Sequence, residues 1–181
     1  MEVLRSPRVM DGCKTVAMDR EKLLRVLQLD ASDARIYERV ATPGEWAVPG
    51  GFHFWDEDLE SLAGARRQAF ANAFLGIGSF GWSTLVTVSE IDHAELETVT
   101  RALAQHLVDT FGAPDVTTAL PAAREEILFA QSLCEYPPGT VIAVSRSFDG
   151  QELSEDFRRW TGDTEIDHDH FKIFGVDIPD N

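Results

Sequence analysis

The run FGWSTLVTVSE, residues 80–90, passes directly into IDHAELETVTRALAQHLVDTF, and the hydrophobic period changes between them. In the first run Phe80, Trp82, Thr84, Val86 and Val88 occupy alternate positions and share one face of a strand. In the second, Leu96, Val99, Leu103, Leu107 and Phe111 recur every three or four residues and form one helical stripe. Asp92 and Glu95 have the spacing of a capping box, and Gly112 with Pro114 stops the helix. A chain that must bury a strand face and a helix stripe side by side is confined to mixed architectures.

The rest of the chain repeats that choice. Leu23–Leu29 alternates as a strand, DASD at 30–33 has turn chemistry, and Ile36, Glu38 and Val40 alternate against Arg35, Tyr37 and Arg39. These runs predict an antiparallel hairpin. Pro49-Gly50-Gly51 interrupts the next alternation, so residues 46–54 read as an edge strand or two short strands around a turn. From Glu57 the stripe Leu59, Leu62, Ala63, Ala69, Phe70, Ala73, Phe74 and Ile77 predicts a helix ended by Gly76 and Gly78. A third helix is expected near Pro121, with Ile127, Ala130 and Cys134 inward. TVIAVSRSF is a strand, Asp149-Gly150 a hairpin turn, and Leu153–Trp160 fits either a return strand or a short helix. The expected fold class is α+β, a mainly antiparallel sheet of about five strands with about three helices packed on it. One domain over residues 18–160 is expected, preceded by a loose extension at 1–17, or a start codon placed too early, and followed by an acidic tail at 161–181.

Composition narrows function mainly by exclusion. The 181 residues carry 31 acids against 16 bases, a net charge of −15. Nucleic acid and anionic membrane surfaces are poor partners for such a chain. Two cysteines, Cys13 and Cys134, fit a reducing compartment. No apolar run approaches the length of a spanning helix. These features predict a cytoplasmic protein.

No chemical motif stands up to its context. Gly76-Ile77-Gly78-Ser79-Phe80-Gly81 matches the letters of a dinucleotide fingerprint, but that loop must follow a strand and open a helix. Here a helix is expected to end and a strand to begin. Gly81-Trp82-Ser83-Thr84-Leu85 lacks the last glycine of a nucleophile elbow. Cys134, on an apolar helix face, reads as an inert thiol. His168 and His170 in DHDH would face one way if extended and are candidate metal ligands, yet no third ligand can be named. No catalytic residue and no cofactor is expected.

The aromatics are more telling. Residues 46–82 hold eight of the 17 aromatic side chains. In PGEWAVPGGFHFW the rings of Phe52, Phe54 and Trp55 fall on both faces of one short segment, which cannot easily enter a single core. Core packing explains most of them. Trp46, Phe52, Phe54 and Trp55 are nevertheless the candidate interaction surface, because large aromatics serve as interface anchors.

The segments LLRVLQLDASDARIYERV, PGEWAVPGGFHFW, FGWSTLV and PPGTVIAVSR together resemble a small family of uncharacterised bacterial proteins, over roughly residues 21–159. Members of that family accompany molybdenum-dependent formate dehydrogenases and their maturation factors, so the resemblance implies an accessory or assembly role. The expectation is therefore a non-enzymatic cytoplasmic protein that binds another protein or a second copy of itself, with no nucleic acid and no membrane. The alternative is a small enzyme or ligand-binding protein whose pocket is lined by the same aromatics.

Overall fold

The structure, a computed structural model, describes residues 20–160. Seven strands form one sheet: β1 (Glu21–Leu27), β2 (Trp46–Val48), β3 (Phe74–Ile77), β4 (Trp82–Ser83), β5 (Leu85–Ile91), β6 (Val141–Phe148) and β7 (Leu153–Trp160). Their order across the sheet is β4-β3-β2-β1-β5-β6-β7, and every neighbouring pair is antiparallel. Four helices accompany them: α1 (Asp33–Ile36), α2 (Gly64–Asn72), α3 (His93–Phe111) and α4 (Val116–Ser132). The α+β class holds, but the sheet has seven strands rather than about five.

Register explains the core. Leu24 pairs with Val88, Val26 with Val86, and Val86 with Ile142, so these side chains line one face. Val144 continues that face and pairs with Phe157, whose ring meets Phe74 and Phe129 at centroid distances of 6.2 and 5.7 Å. Phe129 comes from α4, which therefore covers this side. The Lys22 ammonium fastens the far end of α4 by donating to the carbonyls of Cys134 and Tyr136.

Two segments take a different form from the one their residue pattern predicts. The expected second strand of a hairpin at residues 34–40 is instead the single turn α1 followed by extended chain. Asp33 decides this: its buried carboxylate accepts from the backbone N–H and the hydroxyl of Thr84, and Tyr37 shares that hydroxyl at 2.9 Å. A helical turn is what brings Asp33 and Tyr37 to the same point. Val40 then makes a single parallel bridge to Trp82, which covers the β4 edge of the sheet.

The long helix expected from Glu57 is only α2. Leu59 and Leu62 precede it in irregular chain, and residues 74–77 form β3. All four β3 residues are buried. A strand buried on both faces shows no alternation, and a short apolar run then fits a helix equally well. By contrast α3 begins and ends where its caps place it, with Asp92 accepting from the Glu95 N–H at 2.8 Å. α4 starts earlier than expected, because Asp115 caps it through Thr118 and Pro121 lies inside. β7 resolves the ambiguity over residues 153–160 as a strand; Asp149 closes the hairpin by accepting from Gln151 and Glu152. The expectations for residues 1–17, for the acidic tail and for His168 and His170 lie outside the described residues.

Candidate functional site: an aromatic and histidine cluster at the turn before Trp55

β2 leads into Pro49-Gly50 and then into a short 3-10 turn, Gly51–Phe54. Gly50 has φ +78, and a Cβ there would come 2.7 Å from the Cβ of Leu75. No other residue allows both the left-handed backbone and this approach. The turn it starts sends consecutive aromatics in different directions, which is how rings from one short segment avoid competing for one core.

Phe54 points inward and is 2% exposed. Its ring meets Phe70 at 5.4 Å and Trp82 at 5.2 Å. Phe52 is half-buried against Phe111 of α3. Trp46 lies in β2, is 7% exposed, and donates its indole N–H to the Glu95 carboxylate at 2.7 Å. Glu95 thus spends its side chain on Trp46 rather than on the start of its own helix. Trp55 alone among the four candidate aromatics points away, with 71% of its surface exposed. The candidate surface therefore divides into two core rings, one boundary ring and one projecting ring.

Arg66 of α2 holds the turn. Its Nε donates to both oxygens of Glu57, at 2.9 and 3.2 Å, and Nη2 donates to Glu57, to the His53 carbonyl at 3.1 Å and to His53 Nδ1 at 3.2 Å. The guanidinium also lies 4.1 Å over the Phe54 ring. Such a planar fork over an aromatic face is a role lysine cannot fill.

Two histidines that are far apart in the chain meet here. The ring centroids of His53 and His106 are 5.6 Å apart, and His106 is stacked on Phe80 at 3.7 Å, nearly parallel. Phe80 has φ +52, a costly conformation for a bulky residue, and the stack against α3 holds it there. Burial pushes the His53 pKa down to about 4, and the Arg66 charge acts in the same direction. Because Arg66 can only donate, Nδ1 accepts and the imidazole is neutral. Burial, with the charge of Arg39, lowers the pKa of His106 as well. A base that stays unprotonated until pH 4 is poorly matched to proton transfer near neutrality. Chemically, the cluster suits rigid packing between the turn and α3.

The other motif-bearing residues take structural parts. In the Gly76–Gly81 run the anion held by the backbone is internal: the Glu45 carboxylate accepts from the N–H groups of Thr42 and Ser79 and from the Ser79 hydroxyl. A Cβ at Gly76 would fall 2.0 Å from Glu45 Oε1, so the glycine makes room for that carboxylate. Cys134 is buried and desolvation pushes its thiol up to about 12. A cavity of about 10 Å³ among Leu133, Tyr136, Ile142 and Phe157 touches none of the candidate aromatics. Its size is at the lower limit for one water. Among the described residues no group of three His, Cys, Asp or Glu side chains is placed to hold a metal, and no helix is long and apolar enough to cross a membrane.

Arg146 belongs to no sequence motif, yet it is the most highly connected buried charge of the fold's turn region. Its side chain is fully buried; it pairs with Glu155 and donates to the carbonyls of Pro49, Phe70 and Ala73. One sequence signal existed: Arg146 stands in the inward register set by Ile142 and Val144.

Fold and cluster together define an α+β domain that presents an aromatic turn on a packed antiparallel sheet. The chain belongs to a family of unknown function, DUF6505, whose model matches residues 20–177. No curated protein and no solved structure matches it.

Proposed function

We propose that this domain is a non-enzymatic accessory protein of the cytoplasm, acting by binding another protein through the turn that carries Trp55. The observation that carries this reading is the contrast between adjacent residues: Phe54 is locked in the core while Trp55 projects into solvent. An exposed indole on a fixed turn offers a large contact area with little ordering cost on binding. Asp56, Asp58 and Glu60, all exposed, follow it in the chain and add negative charge to this segment. The partner surface that fits is an apolar recess rimmed by Arg or Lys. The resemblance described above makes molybdenum-dependent formate dehydrogenase and its maturation factors the first candidates to try.

Trp46, Phe52 and Phe54 are already committed to Glu95, Phe111, Phe70 and Trp82, and this, together with the low His53 pKa, favours this reading over an enzyme with an aromatic pocket. The test is affinity capture from cells with wild type and Trp55→Ala, each confirmed to be folded. Wild type is expected to retain a specific partner, and the substitution to weaken it about 30-fold or more, the scale of an interface hot spot. Equal recovery by both proteins would overturn the assignment of Trp55.

A further inference from the structure

The two edges of the sheet are treated differently. β4 is two residues long and is covered by the segment around Val40. β7 is eight residues long, and among the described residues no strand lies on its outer side. A long edge strand invites pairing with another chain unless its side chains oppose it.

The side chains of β7 read Ser154-Glu155-Asp156-Phe157-Arg158-Arg159-Trp160. About Phe157 this sequence is antisymmetric in charge. If a second copy pairs antiparallel with Phe157 opposite Phe157, then Asp156 faces Arg158 of the other copy, Glu155 faces Arg159, and Ser154 faces Trp160. Each match occurs twice by symmetry. A row of one sign, the usual protection of an edge, would place like charges opposite each other in the same arrangement. Here unlike charges meet, and a large exposed ring, Trp160 at 43%, falls beside a small residue.

We infer that β7 is a self-pairing edge and that two copies join through it about a two-fold axis, making one sheet of their two. Such an isologous contact needs only one self-complementary patch. Asp156 and Arg158 carry the specificity. They lie on the same side of the strand and already pair within it, at 2.5 Å, so both are held in place for the second copy. Glu155 contributes less, because its carboxylate is committed to Arg146. The contact is independent of the Trp55 turn, and either can fail without the other.

Charge exchange tests it. Sedimentation velocity across a concentration series should show the full-length wild type dimerising. Asp156→Arg alone places Arg against Arg, and Arg158→Asp alone places Asp against Asp. Each is expected to weaken self-association at least tenfold, while an equimolar mixture of the two forms a mixed dimer. Hydrogen exchange on the wild type gives a second reading that needs no variant: amides of residues 153–160 should gain protection as concentration rises. A wild type that stays monomeric, a dimer indifferent to both substitutions, or β7 protection independent of concentration would each overturn the inference.

Discussion

The guanidinium of Arg66 lies 4.1 Å over the ring of Phe54 while its fork holds Glu57, so a charged side chain and a core aromatic clamp the same turn from two directions. Arg66→Lys keeps the charge and loses the fork. It is expected to cost about 1–2 kcal/mol, and to weaken partner binding by loosening Trp55. Trp55→Ala should leave stability within about 0.5 kcal/mol of wild type. Urea unfolding of the two variants separates holding the turn from making the contact; a large loss in Trp55→Ala would mean that the indole is structural.

Arg146 joins β6 to the ends of β2 and α2 across long chain separations. Arg146→Ala strands the Glu155 carboxylate and three carbonyls, and should destabilise the fold by roughly 3–5 kcal/mol. Removing Glu155 as well, in Arg146→Met with Glu155→Leu, should recover part of that loss. Additive effects in urea unfolding would show that the pair is not coupled.

Glu45 and Gly76 make a second coupled pair. In wild type, Gly76→Ala forces the Glu45 carboxylate from its hydrogen bonds with Thr42 and Ser79, at an expected cost of about 1–3 kcal/mol. In a Glu45→Ala background those bonds are already gone, so the same change should cost clearly less. A double-mutant cycle by thermal or chemical unfolding measures the difference.

Acid and base act on this fold through two opposed groups. His53 titrates near pH 4 when folded against an ordinary 6.5, so its contribution to stability is lost as pH falls through that interval. Glu126 is pushed up to about 7 from 4.5, by burial first and by the Glu155 charge second. Its folded state holds the proton longer, so its contribution is lost as pH rises from 4.5 through 7. Where the intervals overlap, the slopes oppose each other. Glu126→Gln should leave a melting temperature that rises more steeply with pH there, and His53→Gln one that falls relative to wild type. Melting curves between about pH 4 and about pH 8 check both signs.

Much of the α+β pattern could be read from local residues. α3 announced itself through the Leu96–Phe111 stripe, the Asp92 cap and Gly112, because each of these acts within one turn of chain. β5 and β6 alternate as half-covered strands do, and Asp149-Gly150 marked the β6–β7 turn. β3 does not show in the pattern because burial on both faces erases alternation. α1 was misread because Arg35, Tyr37 and Arg39 alternate as a strand would, whereas Asp33 and Tyr37 answer to Thr84, far away in sequence.

The candidate site divides the same way. The segment PGGFHFW was marked by its own composition, and its glycines by the need for a turn. Which ring enters the core could not be read there, since it depends on how Gly50 approaches Leu75 and on where Phe70, Trp82 and Arg66 stand. The meeting of His53 with His106, and of Arg146 with Pro49, left only the inward register of Arg146 as a trace. Sequence by itself determined the helix caps, the turns and the mixed class, because propensity and hydrophobic period act over a few residues. Tertiary structure alone decided the seven-stranded sheet, the exposure of Trp55 and the neutral His53, because burial and pairing depend on residues that only the fold brings together.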